Sequence, residues 1–424
     1  MGDAADGTIG QVAGAMRVVG TPLERVARLK AVIARGGDEA QKLRHLPVET
    51  VDALIDEGFF RFAIPRELGG ENASAVETVA ILEAISAIDA SVGWNVMLGS
   101  EINAMAAGGM DKALAKEIFV GNPRVVMCGG GGPGSTPSHA ILQKDGSAKV
   151  WGETTFISGC HNSEWCFMAA PTVEEGQEHT ANPMAARMWF LHKSQYEILD
   201  TWDMAGLRGS GSHNVRASGG VVPAKFADVQ LVSLPALYDN PVFRIPIPLR
   251  LSYNKVAIAL GIARGALTAF VDVANNKIPF LSASKLAERP IAQHRMGEME
   301  AKYRAARAYV MEAMNDVEEE LRRGAEAPSA MTTQNARLAC TYGANACMEV
   351  VDVLHNAAGT SGMQMASPLE RKLRDAHGAA THRWVAHPLY TDLGKILLGH
   401  EPGPEFAGTG GPGLGAKGTV KATR

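Results

Sequence analysis

The chain has 424 residues, with 41 basic and 45 acidic side chains and a formal net charge of −4. That length exceeds what one hydrophobic core usually serves and predicts two or three packed units. The near-balanced charge offers no surface-wide attraction for a polyanion, so nucleic acid is not an expected partner.

Five cysteines, Cys128, Cys160, Cys166, Cys340 and Cys347, are odd in number and show no CxxC spacing. This argues against a disulfide framework or a zinc site and for reduced thiols in a cytosol. The N-terminus has no apolar core followed by a cleavage site, and no run approaches the 18 apolar residues of a membrane span, so a soluble, cytoplasmic protein without membrane contacts is expected.

In chain order, residues 1–20 are rich in Gly and small residues and read as a loose arm. Thr21, followed by Pro22 and Glu24, is a helix N-cap signal, and VETVDALIDEGFF repeats apolar residues at helix spacing, so 21–123 reads as a helical domain. Near Arg124 the character changes. Short apolar runs (RVVMC, HAILQ, KVWGETTFIS, WCFMAA, ARMWFLH) alternate with Gly, Pro, Asp and Asn, and KDGS is a tight-turn signal, which predicts a compact β unit over 124–235. From 236 to 401 long helical patterns return and predict an antiparallel four-helix bundle. The Gly-rich stretch 402–424 reads as a loose tail.

The glycine clusters GGGGPG (129–134) and GLRGSGS (206–212) resemble phosphate loops, but neither carries the Lys-Ser/Thr of a P-loop nor opens a helix after a parallel strand; they are expected as turns at strand ends. His377 and His382 are five apart, which on one regular helix sets them about 140° apart and excludes a shared metal. No nucleophile elbow or protease signature occurs.

Several segments resemble the acyl-CoA dehydrogenase superfamily: LIDEGFFRFAIPRELGGEN (54–72), AISAIDASVGWNVM (84–97), WGETTFISGCHNSEWCFMAAP (151–171), DTWDMAGLRGSGSHNV (200–215), IALGIARGAL (258–267) and PLERKLRDAHGAATH (368–382). The resemblance implies an α+β fold with an N-terminal helical domain, a small central β-barrel or sandwich and a C-terminal four-helix bundle, assembled as a homotetramer. It also exposes a departure. The glutamate of common dehydrogenases falls at Arg383, and the alternative acid of some relatives falls at Leu251, so an α-proton has no evident base.

AAGTSGMQMASPLERKLRDAHGAATH is instead similar to two-component flavin-dependent monooxygenases acting on 4-hydroxyphenylacetate, related phenols, indoles and dibenzothiophene. That branch implies His382 and Ser158 as catalytic residues beside the flavin, with Trp94, Ser158, Gly159, Arg208, Ser210, Ser212, Arg374 and His377 binding it. It implies oxygenation of a small aromatic or heteroaromatic compound through a flavin C4a-hydroperoxide, formed from O2 and reduced flavin delivered by a separate NAD(P)H-flavin reductase. The motifs that grip the adenine of FAD are eroded to SASKLAERPI and HNAAGTSG, which favours reduced FMN, with FAD possible. An N-oxygenase of the nitrososynthase kind and a dehydrogenase with an atypical base are the alternatives. A dry pocket closed by Trp94, Met97, Trp165 and Trp202 would suit oxygen transfer.

Overall fold

The structure, a computed structural model, describes residues 18–130, 132–182, 186–227 and 236–403. Most of the expected N-terminal arm and C-terminal tail therefore lies outside the described residues.

Five helices come first: α1 (Pro22–Leu43), α2 (Val48–Asp56), α3 (Ala75–Ile88), α4 (Ala90–Gly109) and α5 (Lys112–Phe119). All but α2 start at a side-chain cap. The Thr21 hydroxyl accepts from the Glu24 N–H while the Glu24 carboxylate accepts from the Thr21 N–H, and Ser74 and Glu77 repeat this box ahead of α3. Asp89 caps α4 by accepting from the Val92 N–H at 2.9 Å.

Seven strands follow: β1 (Met127–Gly129), β2 (His139–Leu142), β3 (Ala148–Ile157), β4 (Trp165–Val173), β5 (Ala186–His192), β6 (Tyr196–Leu199) and β7 (His213–Val222). They form one mixed sheet in the order β1-β4-β2-β3-β7-β6, with β5 also paired to β4. The first residues of β4 pair with β1 and its last with β2, while β5 runs antiparallel along it, so the sheet curls about β4. The expected KDGS turn joins β2 to β3, with Gly146 at φ +83°. Where β3 meets β7 the register shifts between Thr154 and Ile157, and Phe156 adopts φ +58° there. One more pair, Ile157 with His213, follows this bulge before the chain turns at Ser158.

The chain closes with α6 (Ile247–Asn276), α7 (Pro290–Arg322), α8 (Ala330–Ala358), α9 (Pro368–Ala380) and α10 (Leu389–Leu397). Contrary to the expectation from apolar runs, α6 is long and apolar enough to cross a membrane by length and composition, yet two thirds of that stretch is buried inside the protein. It is the axle of the helical core, packed on α3, α7, α8 and α9. Backbone contact with α3 is close because Gly261 and Gly265 face it: a Cβ at Gly261 would stand 2.5 Å from the Glu83 carbonyl oxygen, and one at Gly265 would stand 2.4 Å from that of Ala87. Burying such an apolar helix contributes ~25 cal/mol per Å² of apolar surface removed from water.

Candidate active site

Three elements converge at one rim of the sheet. The Ser158-Gly159 turn leaves β3, with Gly159 at φ +71°, a conformation that costs a side-chain-bearing residue energy. The loop carrying Ser210 and Ser212 precedes β7, and the two turns are tied by the Gly159 N–H donating to the Ser210 carbonyl at 3.0 Å. From α4, the Trp94 indole N–H donates to Ser158 Oγ at 3.1 Å; Ser158 Oγ lies 2.6 Å from Ser212 Oγ, which lies 2.7 Å from Ser210 Oγ. These hydroxyls are buried. The indole hydrogen enters the chain, each internal link uses one hydroxyl hydrogen, and one of the three O–H groups therefore remains to be donated elsewhere.

The imidazole of His382 completes the cluster, with its ring centroid 5.7 Å from that of Trp94 in an edge-on arrangement. Helix α9 ends at Ala380, so His382 sits in the turn that follows and not on the helix with His377. The expected 140° helical separation is thereby corrected: no helical geometry relates the two. Part of the His382 ring reaches the surface, but burial, with the nearby Lys255 and Arg383 cations, pushes its pKa down to about 3 and keeps the imidazole neutral.

The α9 run serves a different purpose. Arg374 binds Glu370 and the Ala205 carbonyl, and Asp375 accepts the Leu207 N–H at 2.6 Å. His377, exposed, pairs with Asp352 of α8 at 2.8 Å. Arg208 donates to the Gln41 carbonyl at 2.9 Å and pairs with Asp203. Trp94, Ser158, Gly159, Ser210, Ser212 and His382 are thus brought together, while Arg208, Arg374 and His377 brace neighbouring segments. Of the expected aromatic walls, Trp202 stacks edge-on with the exposed Phe156 at 6.1 Å, whereas Trp165 packs against Phe226 at 4.5 Å. The GLRGSGS cluster forms a short 3-10 turn, Arg208–Ser210, ahead of β7, as expected, whereas in GGGGPG the described residues include Gly129 at the end of β1 and Pro133 bridged to Thr154.

Residues that sequence reasoning missed are equally telling. Asn95, next to Trp94, holds the Gly209 carbonyl at 3.2 Å and accepts from Asn162 at 2.9 Å, fastening α4 to both turns. Glu101, one heptad beyond Trp94 and so on the same face of α4, is a buried carboxylate, but Lys255 of α6 pairs with it at 2.7 Å and Asn254 donates to it at 2.6 Å. It is consumed as an ion pair and is no free base. Phe156 was legible only as the second residue before Ser158; its left-handed backbone was not. The gap behind the turn, lined by Phe60, Asn95, Gly99, Met127, Ser158 and Asn162, leaves no room for even a water molecule, so no ligand pocket opens there.

Family models for the acyl-CoA dehydrogenase N-terminal domain and C-terminal domain match residues 23–113 and 254–387. The chain belongs to the acyl-CoA dehydrogenase family. Its curated relatives include monooxygenases and hydroxylases. An indole-3-acetate monooxygenase of Pseudomonas putida is 29% identical over 87% of this chain and 91% of its own. The oxygenase component of an FADH2-dependent resorcinol hydroxylase of Rhizobium sp. is 26% identical over 92% and 96%. The solved structure of TdsC from Paenibacillus sp. A11-2, in complex with FMN and indole, superposes with a TM-score of 0.76 at 20% identity, covering 90% of this chain and 98% of that one. Relatives of this chain therefore work with both forms of flavin.

Proposed function

We propose that this protein is the oxygenase component of a two-component flavin-dependent monooxygenase, oxygenating a small aromatic or heteroaromatic compound. The observation that carries the reading is the pairing of a hydroxyl chain having one hydrogen left to donate with a neutral imidazole across from it, in surroundings whose buried carboxylate is already neutralised by Lys255. A dehydrogenase needs a free base there, and this chain supplies none at Arg383, Leu251 or Glu101. Reduced FMN, or reduced FAD, supplies when bound the two electrons that split dioxygen.

The donor set suits the polar edge of such a ring. Ser158 offers a hydrogen bond at the rim, and the exposed Phe156 ring beside Trp202 offers an apolar wall. His382, held neutral, can donate a hydrogen bond to oxygen chemistry without adding a buried charge, and Trp94 fixes the orientation of Ser158. The remaining partners follow from the same reading: a separate NAD(P)H-flavin reductase, O2, and a homotetrameric, cytoplasmic enzyme.

The test mixes the protein anaerobically with reduced FMN or FAD and then admits oxygen, with a panel of phenols and indoles present. Slow return of oxidised-flavin absorbance together with oxygenated product supports the reading. Direct bleaching of bound oxidised flavin by an acyl-CoA, with no product from any aromatic, overturns it.

A further inference from the structure

The segment that carries His382 has no regular secondary structure, and its shape is imposed from outside. The Trp384 carbonyl accepts from Ser252 Oγ of α6 at 2.8 Å, a hydroxyl equally distant from the Pro248 carbonyl. The next carbonyl, of Val385, accepts from Asn345 Nδ2 of α8 at 3.2 Å. Ser252 is fully buried on a helix face otherwise devoted to packing, and Val385 is fully buried as well. The Trp384 ring is held between Arg337 and Arg383, whose guanidinium carbons lie 5.9 and 5.0 Å from its centroid. Held in this way, the Trp384 N–H points back at His382 Nδ1, 3.4 Å away. A backbone N–H can only donate, so Nδ1 must be the acceptor, and in a neutral ring the proton then resides on Nε2.

We propose that Ser252 and Asn345 are positioning residues that, by clamping successive carbonyls of the 382–385 turn, fix His382 as the Nε2–H tautomer and so present an N–H donor towards Trp94 and the Ser158 rim. The chemical purpose assigned to that donor rests on the function proposed above; the tautomer itself does not. Loss of either clamp frees the Trp384 amide to turn away, after which both tautomers become populated and the donor is present only part of the time.

The experiment uses the full chain labelled with 15N-histidine, without flavin, and solid-state NMR, with His382 assigned by difference from His382→Gln. The wild type is expected to show a protonated Nε2 and an unprotonated Nδ1. In Ser252→Ala and Asn345→Leu these resonances move towards averaged values, and Ser252→Thr restores them. In turnover with reductase the same variants release about fivefold more peroxide per reduced flavin, the size of one lost hydrogen bond, at unchanged substrate KM. A wild-type Nδ1–H signal, or wild-type resonances in folded Ser252→Ala and Asn345→Leu proteins, overturns the proposal. Normal coupling in His382→Ala defeats the functional reading instead and leaves the resonance result standing.

Discussion

The cluster at the sheet rim and the charged run on α9 make an instructive pair. Trp94, Ser158, Ser212 and His382 come from far-apart stretches of the chain, yet meet around one hydroxyl chain. Arg374, Asp375 and His377 are almost adjacent, yet reach two different places, the 205–207 loop and Asp352 of α8. The difference is one of solvent and partners. Each rim residue faces the rim with a small, uncharged polar group, whereas each α9 residue is already committed to an ionic or backbone partner in the resting fold. Nearness to a motif therefore says little about whether a side chain is available for chemistry.

The largest break in this comparison is expected from His382→Ala. The protein should fold, productive turnover should fall on the order of 10²-fold, typical of a positioned acid-base group, and peroxide should rise; a product assay coupled to peroxide detection reads both. Ser158→Ala, which removes the link between the Trp94 indole and Ser212, is expected to cost about tenfold in coupling, the worth of one buried hydrogen bond near a charge-bearing centre; wild-type coupling in this variant would move the functional rim away from the turn.

On the α9 side the effects should appear in stability. Asp375→Ala leaves the Leu207 N–H without its acceptor and should cost ~1–3 kcal/mol by denaturant titration. Burial, then the neighbouring Asp89, raises the Asp375 pKa to about 7. A carboxyl whose folded pKa is raised contributes stability that is complete below its unfolded value and is lost as pH rises through the folded one. Unfolding free energy should accordingly decline between about pH 4 and pH 7 and level off above, and Asp375→Asn should flatten that decline. The smallest change belongs to His377→Ala: its exposed pairing with Asp352 is worth at most ~1 kcal/mol, and coupling should stay at the wild-type level. An uncoupled His377→Ala enzyme would put the strut in the chemistry after all.

Much of the scaffold was legible because its signals are local. The Thr21 capping box, the KDGS turn and the glycine clusters need only their neighbours in sequence to act. Ser158 and His382 were reachable through resemblance alone, since nothing in the spacing of a lone Ser and a lone His marks chemistry. The end of α9 was invisible: AATH contains no Gly or Pro to stop a helix, and the segment beyond Ala380 is held by α6 and α8, which take the Trp384 and Val385 carbonyls. The Glu101–Lys255 pair was hidden for a related reason, as two charges on different helices look like surface residues until the fold buries both.

The hydroxyl chain at the rim has one more consequence. Three serines in a row admit three hydrogen arrangements of the same heavy-atom skeleton, leaving the spare hydrogen on Ser210, on Ser212 or on Ser158. Passing between them requires only torsional flips of O–H bonds, with no backbone displacement. Ser158 can thus greet a nitrogen lone pair as a donor and an N–H as an acceptor, so a ring that gains or loses hydrogen during turnover meets a wall whose polarity reverses with it.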